Sequence, residues 1–102
     1  MRRFHTHFAK GNYKKIYDDS GGALHKMRTK SAFRDEMTAA KARYGDFRYV
    51  ANYTMDINDS GPKTVKVYCS TYFTKARVKE EFLYTGQEHK FLLQYYKVST
   101  EP

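Results

Sequence analysis

Lys41-Ala42-Arg43-Tyr44-Gly45-Asp46-Phe47-Arg48-Tyr49-Val50-Ala51-Asn52-Tyr53-Thr54-Met55-Asp56-Ile57 contains the change of period that decides the fold. Before it, Phe33, Met37, Ala40 and Tyr44 fall at i, i+4, i+7 and i+11, the single apolar stripe of an amphipathic helix. Thr29 or Ser31 can cap that helix, and Asp35 and Glu36 lie early in it, where the helix dipole favours negative charge. Lys41 and Arg43 close its last turn, and Gly45 stands where a left-handed C-terminal cap belongs. From Asp46 the period becomes two. Phe47, Tyr49, Ala51, Tyr53, Met55 and Ile57 alternate with polar positions and Val50, the pattern of a strand with one buried face.

Downstream, the alternation repeats three times. Asn58-Asp59-Ser60-Gly61-Pro62 is a turn, and Val65, Val67, Cys69, Thr71 and Phe73 make a second strand. Thr74-Lys75-Ala76 reverses the chain tightly, and Val78, Glu80, Phe82 and Tyr84 make a third strand. Gly86-Gln87-Glu88 is expected to turn again into a fourth strand, Phe91 to Val98. Short connections between successive strands imply an antiparallel meander.

Upstream, Phe4 and Phe8 sit four apart, as on one helical face, until Gly11-Asn12 breaks the segment. Asn12 can cap a second short helix carrying Tyr13, Ile16 and Tyr17, which ends at Asp18-Asp19-Ser20-Gly21-Gly22. Ala23 to Arg28 reads as a loop or one helical turn. The expected fold is therefore α+β in a single domain spanning 1–102: N-terminal helices packed on a curved four-stranded antiparallel sheet.

Composition agrees with one core. Hydrophobic residues make up 40% of the 102, and ten Tyr and seven Phe supply the large side chains in the absence of Trp. Cys69 is the only cysteine, so no intramolecular disulfide can form and the redox compartment stays open. No apolar run is long enough to cross a bilayer. Met1-Arg2-Arg3-Phe4 has the charges of a signal peptide without its apolar region. The net charge of +8 is uneven: residues 1–45 hold eleven Lys/Arg against four Asp/Glu, residues 46–102 eight against seven. A positive field over the helical half favours anionic partners, although the ordinary consequence of such charge is a solvated surface.

Four segments resemble the nuclear-transport-factor-2-like, or cystatin-like, superfamily, and among its members the small bacterial envelope and lipoprotein-type proteins of uncharacterised function. Gly11-Asn12-Tyr13-Lys14-Lys15-Ile16-Tyr17 is similar to their G-x-Y-x-x-x-Y helix, and Ser31-Ala32-Phe33 through Tyr44-Gly45 to the helix ending in an aliphatic-Gly pair. Val67-Tyr68 through Phe73-Thr74-Lys75 is similar to their V-x-Y…F-x-K hairpin, and His89-Lys90-Phe91 through Val98 to their closing strand. Phe91 replaces the usual tryptophan, Tyr44 an aliphatic residue, and Tyr95 a glycine. The resemblance implies a cystatin-like cone with an internal pocket, a sheet-to-sheet homodimer, and a periplasmic or envelope location. The superfamily hosts isomerases, dehydratases, transport factors and pure binding modules alike, so the fold leaves the activity open.

On this reading the pocket candidates are Phe33, Met37, Tyr49, Tyr53, Glu80, Phe82 and Tyr84. Glu80 is the only carboxylate interrupting an apolar strand face, between Val78 and Phe82. As a general base with a tyrosine electrophile it would make an isomerase- or dehydratase-type enzyme. The plainer expectation is a Glu80 at the sheet rim paired with Lys or Arg, because buried unpaired carboxylates are rare. The other sheet face is expected to carry Tyr68, Tyr72, Leu83, Leu92, Tyr96 and Val98 among Lys66, Lys79 and Glu81, an apolar patch suited to a homodimer.

Other chemistries find little support. His5 and His7 are two apart, which on a helix separates them, while His25 and His89 are isolated; all four are expected at the surface, with no metal site. Cys69 reads as a small buried thiol on a strand's apolar face rather than a nucleophile. Gly21-Gly22 lacks the strand, the Lys-Ser/Thr pair and the helix of a phosphate loop. No cofactor is implied. The leading expectation is a non-catalytic binding domain, dimeric through its sheet, with room for a small apolar ligand in the cone. A basic single-strand nucleic-acid binder is the weakest alternative, since basic and aromatic residues sit mostly on different elements.

Overall fold

The computed structural model describes residues 2–59, 61, 63–87 and 90–100. Ser60 and Pro62 of the first turn, and Glu88 and His89, lie outside the described residues. Four helices, α1 (Arg2–Ala9), α2 (Tyr13–Asp18), α3 (Gly22–Met27) and α4 (Lys30–Tyr44), precede four strands, β1 (Phe47–Asn58), β2 (Lys63–Phe73), β3 (Arg77–Gln87) and β4 (Lys90–Thr100). The strands form one antiparallel sheet in the order β1-β2-β3-β4, which is the α+β meander the periodicity implies.

Local chemistry explains the helix ends. Of the two candidate caps on α4, Thr29 serves: its hydroxyl accepts from the amide of Ala32 at 3.2 Å. At the far end Gly45 adopts φ +86°, and a Cβ there would lie 2.0 Å from Oγ1 of Thr74, so only glycine fits between helix and sheet. Asn12 stands at the N-cap of α2 but makes no side-chain cap bond. The stretch that reads as a loop or single turn becomes α3. It is held by the sheet: the Gly21 amide donates to the Leu93 carbonyl at 2.8 Å, and the Ala23 amide to Oε1 of Gln94 at 2.9 Å.

The helices cover one sheet face. Phe4 and Phe8 of α1, Leu24 of α3 and Phe33, Met37 and Tyr44 of α4 are buried with Val65, Val67, Cys69 and Phe73 of β2, Val78 and Phe82 of β3, and Leu93 and Tyr96 of β4. Rings interlock at this seam: Phe4 meets Phe82 edge-on at 5.1 Å and Phe8 meets Phe73 edge-on at 5.6 Å.

Three strand irregularities decide which residues face the helices. In β1, Phe47 pairs with Phe73 but Tyr49 with Tyr72, leaving Arg48 as an extra residue; Val50 pairs with Thr71 but Asn52 with Ser70, leaving Ala51 extra. One extra residue exchanges the two faces of a strand, and a second exchanges them back. Tyr49 therefore lies on the outer face beside Tyr72, while Tyr53, Met55 and Ile57 return to the helix side opposite Cys69, Val67 and Val65. In β4, Leu83 pairs with Tyr95 and Tyr84 with Leu93, so Gln94 is extra. Gly86, expected in a turn, is a strand residue opposite Phe91.

Candidate functional site

The helix layer stops short of the β1–β2 end of the sheet. Tyr53, Met55 and Ile57 face the helix side, yet they are 56%, 50% and 57% exposed, so the helices leave them half uncovered. With Val65 and Val67 of β2, Tyr84 of β3 and Phe91 of β4 they surround an open hollow of about 510 Å³, with Lys63 at its rim. Phe91 is itself 48% exposed, and the Lys63 ammonium lies 5.9 Å from the centre of its ring. A Cβ on Gly86 would fall 2.7 Å from Cε1 of Phe91, so the missing side chain at Gly86 is what lets that ring lie across the strand pair.

Sequence reasoning names Tyr53 and Tyr84 as pocket residues, and both line the hollow. Phe33, Met37 and Phe82 instead pack in the closed core, at 1%, 3% and 1% exposure. Tyr49 is corrected to the outer face, for the reason given by the bulge at Arg48. Met55, Ile57, Val65, Val67 and Phe91 complete the wall. Their signal was present in the alternation of β1 and β2, but not the fact that the helices would leave that end uncovered.

Glu80 is neither at the rim nor paired with Lys or Arg. It is 1% exposed, and its carboxylate is enclosed by the chain's own donors. His5 Nε2 lies 2.8 Å from Oε1, the Thr71 hydroxyl donates to the same oxygen at 2.6 Å, and the Tyr96 hydroxyl donates to Oε2 at 2.5 Å. A base needs an oxygen that can reach a substrate proton. Here both oxygens are engaged behind the α1 helix, which suits the group to holding that helix on the sheet.

His5, expected at the surface, is 3% exposed and stacks on Phe47 at 4.2 Å. A signal for this existed. At about 100° per residue, Phe4, His5 and Phe8 fall within a single arc of roughly 100°, the width of a core-facing stripe. His7 flanks the same stripe on its other side. Its two ring nitrogens are shielded from solvent and have no hydrogen-bond partner among the described residues. His25 is exposed and lies against Tyr17, with Nε2 2.8 Å from the Tyr17 carbonyl oxygen.

The network shapes the neighbouring acidities. Burial, then the nearby Glu80 charge, holds the Tyr96 phenol well above its ordinary value. Burial likewise raises Tyr84, and it pushes the Cys69 thiol up to about 12, with Glu80 adding to it. A thiol so raised carries almost no thiolate near neutrality, which suits the packing role expected of Cys69. Among the described residues, no three of His, Cys, Asp and Glu gather as metal ligands do.

Among the described residues, no helix covers the outer sheet face. Its apolar residues are Tyr68, Tyr72, Leu83 and Leu92, as expected, together with Tyr49 and Tyr95. Tyr96 and Val98 are corrected to the helix side, since the extra Gln94 exchanges the faces of β4; Tyr96 is buried at 5%. Tyr49 stacks on Tyr72 at 5.0 Å, and the Arg77 guanidinium lies 5.3 Å from the Tyr72 ring centre. Lys66, Arg77, Lys79 and Lys97 share this face, so basic and aromatic residues are interleaved more closely than the linear sequence suggests.

Among the described residues, no helix is long and apolar enough to cross a membrane. No known protein family, curated protein or solved structure matches the chain.

Proposed function

We propose that this chain is a non-catalytic binding domain of the nuclear-transport-factor-2-like, cystatin-like type, whose open hollow takes a small apolar ligand. One observation carries the reading: Tyr53, Met55, Ile57 and Phe91, four large apolar side chains about half exposed, converge on one hollow of about 510 Å³. Scattered exposed apolar residues are ordinary, but a contiguous set lining a depression marks a binding surface. The volume falls within the roughly 300–1,000 Å³ of small-molecule sites. Helices followed by a meander support the assignment of type. The enclosed Glu80 carboxylate supports binding over an isomerase- or dehydratase-type reaction.

Titration with the neutral dye N-phenylnaphthylamine tests this. Its fluorescence is expected to rise on binding, and Ile57→Lys to weaken that binding by about tenfold or more. Ile57 is 57% exposed, so the variant is expected to stay folded. Absence of any dye binding by the native chain ends the reading.

The outer face favours a second role for the same domain, as a homodimer through Tyr49, Tyr68, Tyr72, Leu83 and Leu92. The supporting observation is that Tyr49 and Tyr68 are 53% and 40% exposed beside these apolar neighbours. Sedimentation over a concentration series should show a dimer that Tyr68→Glu dissociates. A chain that stays monomeric throughout is not such a dimer, and salt-sensitive retention of single-stranded oligonucleotide would assign the face to stacking bases instead.

A further inference from the structure

The apolar hollow has a direction. Tyr53, Met55 and Ile57 are alternate residues of β1 on one face, opposite Cys69, Val67 and Val65. At about 3.4 Å per residue they form an apolar row roughly 14 Å long. Its inner end abuts the core, since Cys69, the partner of Tyr53, is 3% exposed. Its outer end, beyond Ile57, is where Lys63 begins β2.

The strand pairing places the Lys63 ammonium at that end. Lys63 is two residues from Val65 in an unbroken stretch of β2, so it shares the helix-side face. It pairs with Gly86, and Gly86 pairs with Phe91, so the three form one row across β2, β3 and β4. The middle position of that row has no side chain. Across it the Lys63 ammonium comes within 5.9 Å of the Phe91 ring centre, and attraction to the ring keeps the charge beside the hollow.

Charge at the outer end has one sign. Among the described residues, Lys63 is the only charged residue lining the hollow. Its carboxylate neighbour is Asp59 at 3.9 Å, and both side chains are in water, at 50% and 76% exposure. So long and so exposed a pair is weak. An ammonium has three donors, so Lys63 can serve a second anion while keeping Asp59. Asp56, the other carboxylate of β1, faces Lys66 on the outer side of the sheet. A cationic head would meet Lys63 in a chain of net charge +8, and a neutral head would gain nothing from it. An anionic head gains an ion pair where the apolar row stops.

We propose that the hollow binds a single alkyl chain bearing one carboxylate, a fatty acid, with the chain along Tyr53, Met55 and Ile57 and the carboxylate at Lys63. The inference rests on the apolar-ligand reading above and adds the head group, its sign and the residue that recognises it.

The test is displacement of N-phenylnaphthylamine by laurate, monolaurin and dodecyltrimethylammonium, each below its micelle concentration and near neutral pH, where a carboxyl is ionised. At low salt, laurate is expected to compete about fivefold better than monolaurin and at least about tenfold better than dodecyltrimethylammonium. Both margins should shrink as salt is added. Lys63→Gln should abolish the laurate margin over monolaurin while dye affinity stays within about twofold. Lys79→Gln is the control: Lys79 is exposed on the outer face, so this variant loses the same unit of charge and should keep the margin. Competition by monolaurin or dodecyltrimethylammonium that equals laurate's overturns the proposal. So does a laurate margin that survives Lys63→Gln or falls equally in Lys79→Gln, since either makes it a property of net charge. Dye binding without head-group preference removes this inference alone; failure to bind dye at all removes the apolar-ligand reading with it. The native chain's ligand series and salt dependence decide the matter even if a variant does not fold.

Discussion

His5 Nε2 lies 2.8 Å from Oε1 of Glu80, tying the first helix to the third strand across a sequence separation of 75 residues. Both side chains are buried, at 3% and 1% exposure, so the pair has no water to fall back on. Removing one partner of such a network leaves the others unsatisfied. Glu80→Gln presents an amide donor to groups that are themselves donors, and should cost about 1–3 kcal/mol. Glu80→Ala, which strands His5, Thr71 and Tyr96 together, should cost about 3–5 kcal/mol. Urea unfolding followed by circular dichroism measures both; a Glu80→Ala chain of native stability would show that the network does not hold α1.

Alkali should loosen the fold. The Cys69 thiol is raised from 9.0 to about 12, and Tyr84 and Tyr96 are raised above 10.0. Between its unfolded and folded values each group holds its proton in the native chain and loses it in the unfolded one. The native state then binds more protons, and stability falls as pH rises. The decline is expected to begin near 9.0, through Cys69, and to steepen above 10.0 through the tyrosines. Urea midpoints across that range give the slope. Iodoacetamide at mildly alkaline pH should label Cys69 only after unfolding.

Thr29 and Ser31 are indistinguishable as caps in the sequence, and the structure separates them. Thr29→Ala should cost about 1 kcal/mol, while Ser31→Ala, exposed inside the helix, should cost less than about 0.5 kcal/mol. Thermal melts of the two variants compare them directly, and an equal loss in both would contradict the assignment.

Gly86 shapes the apolar hollow without lining it. Adding the methyl of Gly86→Ala pushes a Cβ within 2.7 Å of the Phe91 ring, and that ring must swing away. The expected result is a change of more than about threefold in N-phenylnaphthylamine affinity in a chain that still unfolds cooperatively. Unaltered affinity would place Phe91 outside the binding surface.

Much of the fold is written in local signals. Phe33, Met37, Ala40 and Tyr44 mark α4, Gly45 marks its end, and the change to period two marks β1. These depend on neighbours within a turn or two, which a linear reading can see. Tyr49, Tyr96 and Val98 leave the faces that unbroken alternation gives them for one reason: single extra residues at Arg48 and Gln94 displace them. A bulge has no fixed composition, so alternation alone does not reveal it. His5 and Glu80 were separated in sequence and joined only by packing. The hollow depends on where the helix layer ends, which is a property of the assembled layers and not of any one segment.

The paired bulges of β1 also give the strand slack. Arg48 and Ala51 are the residues left over from the pairing with β2, so losing either one closes its bulge and leaves Tyr53, Met55 and Ile57 opposite Cys69, Val67 and Val65. From Asn52 to Asn58 every position is paired, and a residue lost there has no such reserve beside it. A one-residue slip of that stretch against β2 would turn its side chains over. Differences of length between sequences of this kind are therefore expected to collect at Arg48 and Ala51.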